Sequence, residues 1–312
     1  MENRPKLLVF LICVLATTSS FSYARRQATG SQPTGDIPFE IRHSCLVVVR
    51  GSLNGVKGRN LLIDTGSNPT VLDERMARTL GITGGQADLL TLQGHIPANN
   101  AVLSSVTVGP VTAKSVRVFI ADLSHSLKDL GISIDAVVGL DVLKAADFVI
   151  DYRSQRIIFG PAPPYRESVP FETGPPIIRV TMQIDGKPKR LLVDTGAEGL
   201  FLFRTPNTTE QIAANVKPQN SSHVSLRQNR MRVEIPVVRL GSLERKRQPA
   251  YVEDSPESSS DYEGLLGPPA LGIFQVVFDF HRGKLGWNLD GDEAPGFSPS
   301  FKPEGFPPFR VR

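Results

Sequence analysis

Two short stretches of this chain put an acid where acids rarely go. Leu61–Pro69 reads LLIDTGSNP, and Leu191–Ala197 reads LLVDTGA. In each, a hydrophobic run ends on an aspartate, Asp64 or Asp194, followed at once by threonine and glycine. Burial strips a carboxylate of water and disfavours its charge. One such acid alone is a defect. Two held face to face share one proton, because neighbouring carboxylates do not both ionise easily. The charged member then serves as general base toward a water, and the protonated member polarises a carbonyl as general acid. The flanks suit this work. Thr65 and Thr195 can hydrogen-bond across a junction, and Gly66 and Gly196 let backbone N–H groups approach the carboxylates. Ser67 follows the first triplet and Ala197 the second. A Ser67 hydroxyl donating to Asp64 would lower its pKa, so Asp64 is expected to ionise first and Asp194 to hold the shared proton. Glu198, a third carboxyl beside the second triplet, is expected to turn to solvent.

Behind these acids lies a duplication. The two aspartates are 194 − 64 = 130 residues apart. Downstream, VVGLDVLKAADFVIDYRSQRIIFG from Val137 matches LLGPPALGIFQVVFDFHRGKLGW from Leu265 at an offset of 267 − 139 = 128. That offset pairs Gly139 with Gly267, Phe148 with Val276, Asp151 with Asp279 and Tyr152 with Phe280. VRGSLNGVKGRNLLIDTG matches VTMQIDGKPKRLLVDTG, and VTVGPVTAKSVRVFIADLS matches VRLGSLERKRQPAYVEDS. Four matched blocks in one order mark a repeated unit. Within each unit the pattern is mostly strand. Alternating runs end at Asn54-Gly55 and Asp185-Gly186, dipeptides suited to tight hairpins. Helix is scarce: Asp73 can cap ERMARTLGI, with Gly81 near its end, and short helices are expected after Gly139 and Gly267. The fold class is all-β with minor helix.

The paired DTG triplets, each preceded by a hairpin and followed by a hydrophobic-hydrophobic-glycine block, resemble the aspartic peptidases. Each half resembles a retroviral-type, retropepsin-like protease subunit. The downstream glycines stand at matched distances, 139 − 64 = 75 and 267 − 194 = 73, and the likeness spans about residues 40–290. It implies two duplicated β-barrel lobes packed as a pseudo-dimer, in the bilobal arrangement of pepsin-like enzymes. Asp64 and Asp194 would form the catalytic dyad at the lobe interface. Thr65, Gly66, Ser67, Thr195, Gly196 and Ala197 would build its loops, and Gly139 and Gly267 would brace them. The family covers its substrate with a hairpin flap. Lobe one offers LTLQGHIP, with Gly94 and His95, whereas the matching VSLRQNRMR of lobe two has no glycine. The implied reaction is hydrolysis of a peptide or protein substrate by an activated water, without metal or organic cofactor. The alternative is a catalytically inactive secreted relative that only binds peptides.

The rest of the chain sets the context. With 312 residues, 40% hydrophobic and 21% charged, it can bury a sizeable core. Arg4 and Lys6 precede the apolar run LLVFLICVLA, and Ser22 and Ala24 fit the signal-peptidase rule, so residues 1–24 read as a signal peptide cleaved after Ala24. The expected product is exported, periplasmic or secreted, with no stable membrane insertion. Its charge is +4 − 2 + 1 = +3, since Arg4, Lys6 and Glu2 leave. Cys13 leaves too, so Cys45 stands alone, has no disulfide partner and reads as core. Residues 25–37 read as a flexible N-terminal segment, 38–160 as lobe one, 161–176 as a proline-rich linker, 177–291 as lobe two and 292–312 as a proline-rich tail. The basic ERKR at Glu244–Arg247, before the acidic VEDSPESSSDYE, reads as a solvated loop and not a nucleic-acid patch, since no aromatics interleave. The five histidines show no metal spacing, and no G-x-S-x-G elbow occurs. Sequons stand at Asn207 and Asn220. A fused dimer completes its own site, so a monomer with an internal pseudo-two-fold is expected.

Overall fold

The computed structural model describes residues 31–43, 45–91, 94–127, 130–172, 177–204, 231–254 and 261–288. The stretch read as a signal peptide, the C-terminal tail, both sequons and most of the lobe-two segment matching the flap lie outside them.

Lobe one runs β1 (Gly35–Arg42), β2 (Leu46–Leu53), β3 (Val56–Ile63), β4 (Val71–Asp73), helix α1 (Glu74–Thr79), β5 (Gly85–Thr91), β6 (Gly94–Val108) and β7 (Val111–Ala121). It continues with α2 (Leu123–Ser126), β8 (Ala136–Val138), α3 (Leu140–Leu143), β9 (Phe148–Asp151) and β10 (Arg156–Phe159). Lobe two runs β11 (Glu167–Pro170), β12 (Arg179–Ile184), β13 (Lys187–Val193), β14 (Leu200–Arg204), β15 (Met231–Leu240) and β16 (Leu243–Asp254). It ends with β17 (Gly264–Leu266), a 3-10 turn over Pro268–Leu271, β18 (Gln275–Asp279) and β19 (Lys284–Trp287).

The local signals act where the sequence puts them. Asn54 and Asp185 take φ of 50° and 48°, and Gly55 and Gly186 follow at 82° and 79°, so both hairpins turn through two left-handed residues. Asp73 caps α1 by accepting from the Arg75 N–H, and the chain leaves through Gly81 at φ 65°.

Each lobe is a closed six-stranded barrel. Lobe two closes in the order β12-β13-β17-β14-β16-β15. Lobe one repeats it strand for strand as β2-β3-β8-β4-β7-β6, closed by the β2–β6 pairing. Each barrel has a parallel pair beside its acid: β3 with β8, and β13 with β17. The apolar faces of these strands fill the core, with Leu61, Ile63, Leu191 and Val193 fully buried.

A six-stranded antiparallel sheet, β11-β19-β18-β9-β10-β1, joins the lobes. At its centre Phe148 opposes Phe278 and Ile150 opposes Val276. Under the repeat offset of 128 these two pairs exchange (276 − 148 and 278 − 150), so the register maps onto itself across a pseudo-two-fold axis. Phe148 and Phe278 stack at 4.6 Å between centroids.

Three expectations are corrected here. The segment read as a linker contains β11, the counterpart of β1, whose Pro170 sits opposite Lys284 on the outer edge of the sheet. A proline's missing N–H is harmless on such an edge. The segment read as flexible already forms structure by Gln32. Its side-chain amide donates to Asp147 Oδ2 and accepts from the Asp147 N–H, and β1 starts at Gly35. The ERKR run lies within β16, where Arg247 pairs with Glu234 and Glu244 with Arg239 across to β15. Lys246 and Arg247 are exposed, while Arg245 is half-buried and donates to Leu271 O at 2.9 Å.

Candidate active site

Each aspartate extends its strand by one rung. Asp64 N–H donates to Val138 O and Asp194 N–H to Leu266 O, both at 3.0 Å. The chain then turns back, with Ser67 N–H on Asp64 O and Ala197 N–H on Asp194 O, both at 3.2 Å. Within each turn a glycine N–H reaches its own carboxyl, Gly66 to Asp64 Oδ1 at 2.8 Å and Gly196 to Asp194 Oδ1 at 2.7 Å. The two carboxyls face each other across the lobe junction, each 1% exposed, and Asp194 Oδ2 has no hydrogen-bond partner among the described residues.

The glycines are required by contact. A Cβ on Gly66 would lie 2.6 Å from Asp194 Cγ, and one on Gly196 would lie 3.1 Å from Asp64 Cγ. Each triplet thus packs its glycine against the other lobe's acid. The threonines complete the junction. Thr65 Oγ1 donates to Val193 O at 2.8 Å and accepts from Thr195 N–H at 3.1 Å. Thr195 Oγ1 donates to Ile63 O at 3.1 Å and accepts from Thr65 N–H at 3.0 Å. Behind the loops, a Cβ on Gly139 would lie 2.2 Å from Ser67 O, and one on Gly267 2.1 Å from Ala197 O. The two bracing glycines therefore sit against the two aspartate turns.

Burial pushes both carboxyls above the usual aspartate range. For Asp64 the neighbouring charge of Asp194 adds to the desolvation. Backbone donors from Gly66 and Ser67 on one side, and from Gly196 and Ala197 on the other, pull against this in matched pairs. The hydrogen bond on which the expected order of ionisation rested is absent. The Ser67 hydroxyl bonds Pro69 O at 3.3 Å rather than the carboxyl, so it gives Asp64 no extra donor. Glu198 also departs from expectation. It is half-buried with Oε1 shielded from solvent, close enough to Cys45 for its charge to raise the thiol's pKa.

A polar brace of lobe one escaped the sequence reading. Thr70 N–H reaches both oxygens of Asp141 at 3.1 Å, its hydroxyl donates to Asp141 Oδ1 at 2.8 Å, and that hydroxyl accepts from Gly139 N–H at 3.2 Å. Burial raises the Asp141 carboxyl, and the Thr70 donors oppose the rise. The signal was an acid two residues after the bracing glycine. The matching lobe-two positions are Leu200 and Pro269, which make no such brace. The expected flap is a hairpin of β5 and β6, with Thr91 opposite Gly94 and Leu90 opposite His95. Gly94 takes φ 105°, and the Thr91 hydroxyl donates to its carbonyl at 2.8 Å. Gly94 and His95 lie at the end of this hairpin.

The aspartyl protease family matches the chain twice, over residues 49–142 and 180–270, more than half its length. The chain belongs to that family, as a tandem of two retropepsin-like domains. No curated protein matches it in sequence.

Proposed function

We propose that the protein is an exported aspartic endopeptidase that hydrolyses peptide bonds through a water activated by Asp64 and Asp194. The observation that carries this reading is the close approach of two buried carboxyls, one from each lobe, each held by its own glycine N–H and packed against the other lobe's glycine. Such a pair holds one proton between two oxygens. The ionised acid takes a proton from water as the oxygen attacks the peptide carbonyl, and the other acid gives its proton to the carbonyl oxygen. The resulting gem-diol collapses as the amine leaves with a proton from the dyad. Chemistry needs the singly ionised pair, and burial places that state at higher pH than isolated aspartates would. The reaction asks for no metal. Export rests on the basic start, apolar run and Ala24 of the N-terminus. The substrate is an extended peptide laid across the dyad under the β5–β6 hairpin. The test is the purified mature chain incubated with a mixed peptide library from acidic to neutral pH, with and without a statine-type mimic of the gem-diol. Cleavage that the mimic blocks and Asp64→Asn removes supports the reading. Tight binding of the mimic with no cleavage at any pH would leave a peptide-binding protein instead.

A further inference from the structure

The two catalytic turns are copies, yet the backbone behind them differs at one atom. In lobe one the Ser67 carbonyl accepts from Leu140 N–H at 3.0 Å. The offset pairing Gly139 with Gly267 puts Pro268 in the place of Leu140. Proline suits the first position of the turn that follows, but it has no N–H. The Ala197 carbonyl, counterpart of that of Ser67, packs just as closely on its glycine, so the geometry is kept while the donor is lost. A buried carbonyl without a partner costs free energy. The missing donor comes from the other lobe. Cys45, buried immediately before β2, places its Sγ 3.6 Å from Ala197 O, within reach of an S–H bond.

We propose that Cys45 is a positioning residue for the Asp194 loop, its S–H standing in for the backbone donor that Pro268 lacks. This rests on the peptidase reading above. Ala197 is the link, because its N–H closes the turn on the Asp194 backbone carbonyl while its own carbonyl takes the thiol. The thiol stays protonated, since burial first, then the charges of Glu198 and Asp194, push its ionisation up. A second lobe-one group joins it. The Tyr152 hydroxyl is buried with no hydrogen-bond partner among the described residues, near enough to Cys45 and Asp194 for their charges to add to the burial that raises its own pKa. Lobe two has Phe280 at the matching place, so the polar seat exists on one side only. The titratable groups around the Asp194 turn are thus Asp64, Cys45 and Tyr152, with Glu198 beside Cys45.

The experiment compares the parent, Cys45→Ala, Pro268→Ala and the double variant. Cys45→Ala lowers kcat/KM about fivefold, the size of one neutral hydrogen bond. It also moves the acid limb of the pH profile upward, because a loosened turn no longer holds the Gly196 N–H on the Asp194 carboxyl. Cys45→Ser, which keeps a donor, recovers part of both. In the double variant the restored N–H at position 268 suppresses both effects. A Cys45→Ala effect of equal size with and without Pro268, or an unmoved acid limb, would overturn the proposal. The same four proteins in urea unfolding give the coupling between the two positions without any catalysis. A parent that cleaves nothing therefore sinks the peptidase reading, while absent coupling in unfolding sinks the role of Cys45.

Discussion

Replacing Thr195 by valine keeps the shape of the side chain and deletes its hydroxyl, so the loss is electrostatic and leaves no cavity. Two buried backbone groups of the other lobe are then orphaned, the Thr65 N–H and the Ile63 carbonyl, which the hydroxyl now serves at 3.0 and 3.1 Å. Each costs about 1–3 kcal/mol, so the variant loses about 2–5 kcal/mol of stability. Thr65→Val orphans the Thr195 N–H and the Val193 carbonyl and costs a similar amount. The four groups are distinct, so the double variant costs the sum as long as the lobes stay closed. If the junction opens, water reaches all four and the double loss falls short of the sum. Equilibrium unfolding in urea measures these values, with an unchanged slope confirming that the transition is the same one. Thr195→Ser retains the donor and acceptor and stays within about 1 kcal/mol of the parent, since a lone methyl is all it gives up. A valine variant no less stable than the serine one would refute the claim that these hydroxyls hold the two lobes together.

Asp64→Asn and Asp194→Asn each abolish cleavage in a peptide assay, because a single acid cannot act as both base and acid; near-parental turnover in either would break the dyad assignment. Burial raises the folded-state pKa of both acids, so the parent loses stability as pH climbs from the unfolded toward the folded value. Asp64→Asn escapes that loss and melts higher than the parent near neutral pH, an advantage that vanishes below about pH 4. Gly66→Ala lowers kcat/KM by about 100-fold and Gly196→Ala by less, following Cβ approaches of 2.6 and 3.1 Å to the opposite carboxyl; the reverse order would contradict the packing. Thr70→Val removes the hydroxyl that joins Asp141 to Gly139 and costs about 1–3 kcal/mol in thermal or urea unfolding.

What the sequence showed and what it hid have physical causes. The strands, hairpins and acid pair were legible because they follow from local pattern: alternating apolar residues, Asn-Gly and Asp-Gly turns, and an acid ending an apolar run. Duplication made each signal visible twice. The interlobe sheet was only partly legible. Its central strands repeat clearly, but β11 is four residues long and lies among prolines, where composition points to a connector. The charged strand β16 was hidden in the same way, because lysine and arginine on a solvated face look like a loop. Side-chain direction was the least legible. Nothing in DTGS tells whether the Ser67 hydroxyl turns to the carboxyl or to Pro69 O, and only the folded turn decides it.

The lobes share their backbones and differ in how each steadies its acid. Lobe one uses its own residues: Leu140 serves the Ser67 carbonyl, and Thr70 with Asp141 ties down Gly139. Lobe two has proline at both matching positions, Pro268 and Pro269, and an apolar Leu200 facing them in sequence order. Its turn borrows a donor, Cys45, from the first lobe. A symmetric dimer of identical chains would carry the same residues on both sides and could not divide the labour in this way. Fusion into one chain removes that restriction. One half can become self-braced and rigid, while the other depends on the closed interface for its alignment. Separating the lobes would then cost the Asp194 turn its thiol donor together with the threonine bonds, whereas the Asp64 turn would lose only the latter. The dependence runs from lobe one to lobe two, and Asp194 is the acid whose placement reports whether the lobes are correctly joined.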